Sequence, residues 1–206
     1  SFTQVMTIRR LVTTIFFLSV FLCGFTNTLS STEFADGFFS LSSNLSNQNI
    51  RCFGEDKHGY IWIGTGRGLD RFNGYEFCQY LRSGDSTALV DNQLQYIFRD
   101  SQDRMWFLTV NGLSLYGPDG HFTNYPVEGP NRNCLKILEN SEGTLYLSLG
   151  TSLSVFNPES ETFKHALNIE FSGFPNTFHM DRLDRLWLVT PAKVFCYDSK
   201  TLELKA

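Results

Sequence analysis

The chain has 206 residues and a formal net charge of −4, with 42% hydrophobic, 15% aromatic and only 18% charged residues. That hydrophobic share is globular rather than disordered, and abundant aromatics with few charges fit a β-rich protein better than a helical bundle. No basic patch of the kind that tracks a phosphate backbone is present, which sets nucleic acid aside as a partner.

Residues 1–30 read as a secretory signal peptide. Arg9 and Arg10 precede an uncharged apolar run of 15 residues from Leu11 to Phe25. That is short of the roughly 20 needed to cross a bilayer, and the small polar residues Thr28 and Ser30 follow it, as at a cleavage region. Cleavage is expected near Ser30 and the start of translation at Met6; an uncleaved N-terminal anchor is the alternative. Either way the remainder is exported. Cys23 follows Leu22 and not the small residue that a lipidation site wants. The other cysteines, Cys52, Cys78, Cys134 and Cys196, are even in number and so permit two disulfides. All four, however, occupy or border strand positions, where Cys serves as a small hydrophobe. No CxxC pair marks a metal site, and neither a metal nor a cofactor is expected.

Residues 31–49 form a lead-in, in which Phe38, Phe39, Ser40 and Leu41 are a candidate closing strand. A repeat follows. Trp62, Trp106, Tyr146 and Trp187 head four similar segments, spaced 44, 40 and 41 residues apart. Six positions before each aromatic stands Asp56, Asp100, Asn140 or Asp181, and three before it Gly59, Asp103, Gly143 or Asp184. Seven after it comes Leu69, Leu113, Leu153 or Val194, and ten after it Phe72, Tyr116, Phe156 or Tyr197.

The first unit resolves into strands. Residues 50–54 are an apolar run. Asp56, Lys57, His58 and Gly59 make a turn, in which Asp accepts backbone N–H groups and Gly takes the positive φ. Residues 60–65 are an aromatic and β-branched strand, Gly66 to Gly68 turn the chain, and residues 69–72 form a third strand. Asn73-Gly74 is a strong hairpin signal, and residues 75–80 make the fourth strand. Four short antiparallel strands in 40–45 residues is the size of one propeller blade. The expected fold is therefore all-β, with about four blades in an incomplete propeller: blade 1 over 50–92, blade 2 over 93–133, blade 3 over 134–173 and a truncated blade 4 over 174–206. Residues 201–206 read as the fourth strand of the last unit, cut short. One blade cannot cover both faces of its own sheet, so each repeated aromatic should pack against the neighbouring blade.

No catalytic constellation stands out. Ser, His and Asp occur without a nucleophile motif such as GxSxG. Asp181 and Asp184 share the register of Asp100 and Asp103 and read as turn residues. Gly64 to Gly68 lacks the Lys-Ser/Thr end of a phosphate loop. His58, His121, His165 and His179 lie in turn or strand contexts, unlike a phospho-accepting histidine. Polar and aromatic loop residues remain as ligand candidates: Arg67, Arg71, Asn111 and Tyr125. For Arg71 the competing reading is an ion pair to an acid within the blade. Tyr75 and Phe77 are expected to pack between blades.

The stretch from Asp56 to Thr65, followed by Gly68 to Gly74, resembles the two-component regulator propeller repeat across a whole unit. Residues 45–50 are similar to the segment that opens the first blade in such sensors. The second unit fits well. The third departs from the pattern at Tyr146 and at Ser148-Leu149, and the fourth at Pro191. The resemblance implies the extracytoplasmic sensor of a histidine kinase, hybrid kinases included, that responds to glycan breakdown products and regulates transcription. It would sit on the periplasmic side of the inner membrane and work as a homodimer with the further blades and kinase modules of a longer protein. The chain itself carries no kinase motif. A ligand-free interaction propeller and a propeller lyase or glycosidase are the alternative functions.

Overall fold

The computed structural model describes residues 44–125, 136–149, 152–168 and 177–205. The signal peptide, the closing strand at residues 38–41 and Cys134 lie outside them. Among the described residues there are 15 β-strands and no helix, and hence no helix long and apolar enough to cross a membrane.

The strands form four antiparallel sheets, one per repeat. Blade 1 contains β1 (Ile50–Glu55), β2 (Ile61–Thr65), β3 (Leu69–Phe72) and β4 (Phe77–Tyr80). Blade 2 contains β5 (Leu94–Arg99), β6 (Met105–Thr109), β7 (Gly112–Tyr116) and β8 (Phe122–Tyr125). Blade 3 contains β9 (Lys136–Glu139), β10 (Leu145–Leu149), β11 (Ser152–Asn157) and β12 (Thr162–Asn168). Blade 4 has three strands, β13 (Thr177–Met180), β14 (Arg185–Val189) and β15 (Val194–Asp198). Each sheet runs in chain order, so every connection within a blade is a hairpin. Among the described residues the sheets do not close into a ring, in keeping with an incomplete propeller.

The core lies between blades. Trp62 and Leu69 of blade 1 pack with Leu94, Ile97, Met105, Phe107 and Phe122 of blade 2. Trp106, Leu108, Leu113 and Tyr125 of blade 2 pack with Ile137, Leu145 and Leu147 of blade 3. Leu138, Tyr146 and Leu153 pack with Phe178, Leu186 and Leu188 of blade 4. Alternation along each strand sends one set of side chains to the previous blade and the other to the next. Trp62, Trp106 and Tyr146 belong to the second set, so each packs against a neighbouring blade, as the repeat leads one to expect.

Two local expectations change. Tyr75 lies in the β3–β4 turn and is 96% exposed, because Asn73 Oδ1 accepts the N–H groups of Tyr75 and Glu76 and turns the chain there. Phe77 instead stacks on Phe72 of its own sheet, ring centroids 4.7 Å apart. Residues 201–205 do not form a fourth strand. The Asp198 carboxylate accepts the N–H groups of Lys200 and Thr201, Leu202 takes a positive φ of 57°, and only the bridge from Tyr197 to Leu204 continues the sheet. Cys52, Cys78 and Cys196 are free thiols; burial pushes the Cys52 thiol up to about 11, which makes it a poor nucleophile.

Candidate functional site

The repeated Asp does two jobs at the β-turn that joins the first two strands of its blade. Asp56 Oδ1 accepts the N–H groups of His58 (2.8 Å) and Tyr60 (3.1 Å), while Oδ2 accepts the indole N–H of Trp62 at 2.9 Å. Asp100 does the same for Gln102, Arg104 and Trp106, the last at 2.7 Å. Asp181 serves Leu183, Arg185 and Trp187, the last at 2.8 Å. The turn is completed at a positive φ by Gly59, Asp103, Gly143 or Asp184. An indole N–H is donor-only and must find an acceptor when buried, which explains the fixed six-residue offset between acid and Trp.

Blade 3 solves the same problem with different chemistry. Asn140 Oδ1 accepts the N–H groups of Glu142 and Thr144. Its amide Nδ2 donates to the Tyr146 hydroxyl at 3.3 Å, and that hydroxyl donates to the Ser199 carbonyl of blade 4 at 2.8 Å. Asn with Tyr is thus a matched exchange for Asp with Trp.

A guanidinium covers the aromatic in three blades. Arg104 lies 5.2 Å from the Trp106 ring and ion-pairs with Asp100 at 2.6 Å. Arg185 lies 5.2 Å from Trp187 and pairs with Asp181 at 2.7 Å. In blade 1 the matching position holds Tyr60, and the cation comes from the neighbouring strand: Arg71 sits opposite Trp62 in the β2–β3 ladder and lies 5.4 Å from its ring. The other blades place Leu115, Val155 and Cys196 opposite their aromatics. Arg71 also lies 5.0 Å from the Tyr60 ring and 5.8 Å from both Tyr80 and Tyr116. Its Nη1 donates to the Tyr116 hydroxyl at 3.1 Å. Among the described residues no carboxylate ion-pairs with Arg71, so aromatic rings stand where an acid partner was weighed. Burial, and then the hydrogen bond to Tyr116, push the Tyr80 phenol far above its usual value.

Beside this cluster a cleft of ≈ 560 Å³ opens between blades 1 and 2, lined by Lys57, His58, Tyr60, Arg71, Arg104 and Tyr116 among others. The four candidates read from the sequence do not converge on it. Arg67 and Asn111 occupy the β2–β3 and β6–β7 turns, at the opposite end of their sheets from the Asp turns. There Asn111 Nδ2 donates to Asp91 at 2.6 Å, while Arg67 is exposed. Tyr125 is 7% exposed and packs 5.5 Å from the Trp106 ring, and burial raises its phenol. Only Arg71 lies in the cleft. Tyr60, Tyr116, Lys57 and His58 were not singled out, and the available signal was the lone cation at a position where three other repeats are apolar.

At the Arg67 end, Ser46 of the lead-in donates through its N–H and its hydroxyl to the fully buried Asp70. Burial raises the Asp70 carboxyl in spite of these bonds. In blade 2 the matching Ser114 hydroxyl accepts the Val90 N–H. In blades 1 and 2 the lead-in is therefore pinned to the third strand of its own blade.

Residues 44–67 match the two component regulator propeller family. The match covers the end of the lead-in, β1, the Asp56 turn and β2, which bears out the resemblance read from those residues. Nothing among curated proteins matches the chain by sequence. Among solved structures, the virginiamycin B lyase from Staphylococcus aureus aligns with a TM-score of 0.63 and 14% identity, over 79% of this chain and 57% of that one. The extracellular domain of a B. thetaiotaomicron protein described as a hybrid two component system also aligns with a TM-score of 0.63, at 19% identity, over 80% of this chain and 26% of that one. At these identities the likeness is one of fold, and the chain spans little more than half of the lyase and about a quarter of the sensor domain.

Proposed function

With the two component regulator propeller repeat at residues 44–67 as premise, we propose that this chain is the extracytoplasmic sensor propeller of a two-component histidine kinase. It senses glycan breakdown products from the periplasmic side of the inner membrane, and the signal regulates transcription through kinase modules elsewhere in a longer protein. The single observation that carries this reading is the family match over the lead-in and the first Asp-to-Trp turn. A ligand bound between blades would favour one arrangement of the propeller over another, and only that difference in affinity can be passed on as signal. Of the sequence candidates, Arg71 is the proposed contact, because it faces a cleft. Thermal melting of the full chain against a panel of neutral and acidic oligosaccharides tests the reading: at least one glycan should raise Tm in a concentration-dependent way, and a flat response across the panel overturns it.

A second reading, an interaction propeller that dimerises without a small ligand, draws on one observation. Ile50 and Phe53 on β1 are 50% and 77% exposed, although their counterparts Leu94 and Ile97 are buried against blade 1. A dimer in sedimentation that no glycan perturbs would favour it. The lyase alternative has the fold likeness behind it, yet the described histidines stand on four separate blades.

A further inference from the structure

Resting on the sensor reading above, we propose that the cleft between blades 1 and 2 is a binding subsite for an acidic sugar, with the Arg71 guanidinium receiving a uronate carboxylate and the Tyr60 ring receiving the sugar face.

Around the cleft the acids already have partners and, among the described residues, two of the cations have no carboxylate partner. Asp103 is held by Arg99 at 2.5 Å. Arg104 is spent on Asp100. Asp56 is buried, and both of its oxygens serve the turn and Trp62. Lys57 and Arg71 remain as cations without a carboxylate partner among the described residues, with His58 beside them. A guanidinium that is half-buried among four aromatic rings has lost part of its hydration, and the rings return only part of that. Its planar fork fits a carboxylate through two parallel N–H donors, of which one nitrogen is already positioned by Tyr116.

The repeat supplies the contrast. In blades 2 and 4 the guanidinium over the Trp arises four residues after the turn acid and is neutralised by it. In blade 1 the cation has moved to the opposing strand and out of reach of Asp56. The vacated position carries Tyr60, whose ring lies under the guanidinium and forms a wall of the cleft. A structural cap would need only the Arg that blades 2 and 4 already use. Replacing it by Tyr with Arg71 leaves an aromatic platform beside an unspent cation, and those are the two elements that a charged sugar needs. The cleft volume of ≈ 560 Å³ lies within the ordinary range for a small-molecule site, about 300–1,000 Å³.

The test is calorimetric titration of the full chain with digalacturonate and with its neutral counterpart galactobiose, at low and high salt. The expected result is binding of digalacturonate alone, weakened by salt. Arg71→Leu adopts the residue of the matching position in blade 2 and should weaken binding about tenfold or more. Arg71→Lys should keep part of the affinity, since it retains the charge without the fork. Lys57→Ala, at an exposed site, provides a variant that does not touch the packing, and it should weaken binding by a smaller factor. Binding of galactobiose as tightly as digalacturonate, or digalacturonate binding unchanged by both Arg71→Leu and Lys57→Ala in folded protein, overturns the acidic-sugar subsite and leaves glycan sensing standing. Binding of neither sugar, while other glycans of the panel raise Tm, overturns the subsite alone. No response to any glycan overturns both.

Discussion

Blades 1 and 2 bury the same Trp under the same kind of cation, yet they handle the charge in opposite ways. In blade 2 Arg104 closes on Asp100, and the cation, the acid and the indole satisfy one another within six residues of chain. In blade 1 Asp56 serves its turn and Trp62, while Arg71 is lent from the next strand and, among the described residues, its guanidinium hydrogen-bonds to Tyr116 and to no carboxylate. The difference shows which demands the repeat makes. A buried indole N–H must have an acceptor, and its ring must be covered. Where the covering cation comes from, and whether it is neutralised, is left open. That freedom is where a function can enter a structural repeat.

The largest effects should come from what the blades share. Trp106 is fully buried between two blades, with Tyr125, Phe156 and Phe163 around its ring. Trp106→Ala should cost about 3–5 kcal/mol in urea unfolding. Trp187, with the same spacing but only partly buried in the last sheet, should cost distinctly less. Equal losses at the two sites would mean that interblade packing is not what the aromatic contributes.

Blade 3 gives the next test, because its pair is matched differently. Asn140→Asp replaces the amide that donates to the Tyr146 hydroxyl with an acceptor. Either that oxygen or the Ser199 carbonyl then lacks a donor, at about 1–3 kcal/mol. The same change in the background of Tyr146→Trp recreates the pairing of the other blades and should cost less than the sum of the single changes. Strict additivity would sink the idea that Asn with Tyr is one unit.

Arg104→Leu and Arg71→Leu separate a neutralised cation from one that is not neutralised. The first leaves the buried Asp100 carboxylate without its ion pair, at about 1–3 kcal/mol. The second breaks no ion pair and should cost under about 1 kcal/mol. Comparable losses in thermal melting would mean that Arg71 serves packing as fully as Arg104 does.

Much of this was legible in sequence because it is local. The Asp turn, the six-residue reach to Trp and the positive-φ position all lie within one hairpin, so their spacing survives in the chain. Even the exchange at Asn140 and Tyr146 keeps register. What was not legible depends on strand pairing or on neighbouring blades. Arg71 is nine residues from Trp62, and only the β2–β3 register brings it over the ring. The Glu139 carboxylate accepts the Ser101 N–H and hydroxyl across 38 residues, a contact from the end of β9 to the turn of the preceding blade that no period reveals. Tyr125 looked like a loop aromatic and is core, because β8 includes it and carries its ring against Trp106. The last strand failed for a local reason instead: the Asp198 turn places Leu202 at a positive φ, and the residues after it return only as far as one bridge.

The smallest effects separate the two ends of the described chain by pH. In blade 4 the Trp187 indole and then the Arg185 and Leu183 donors hold Asp181 well below its usual value. The Ser141 hydroxyl and N–H lower Asp184, and the Lys205 ammonium brings Asp198 down to about 2. A carboxylate lowered in the folded state stabilises fully above its unfolded value of about 3.9, and that contribution fades as pH falls toward the folded value. Asp70 in blade 1 is raised by burial, so its sign is reversed: acid favours the folded state there, and the penalty grows as pH rises through the ordinary Asp value. Amide hydrogen exchange read by peptide mass spectrometry between pH 5 and pH 2, on scales of about a pH unit, should therefore show the strands of blade 4 losing protection before those of blade 1. Asp184→Asn keeps an acceptor for Ser141 but removes the titration, and it should flatten part of that loss in blade 4 while leaving blade 1 unchanged. If both blades lose protection together and the variant alters neither, the acid response belongs to the whole array and not to its end turns.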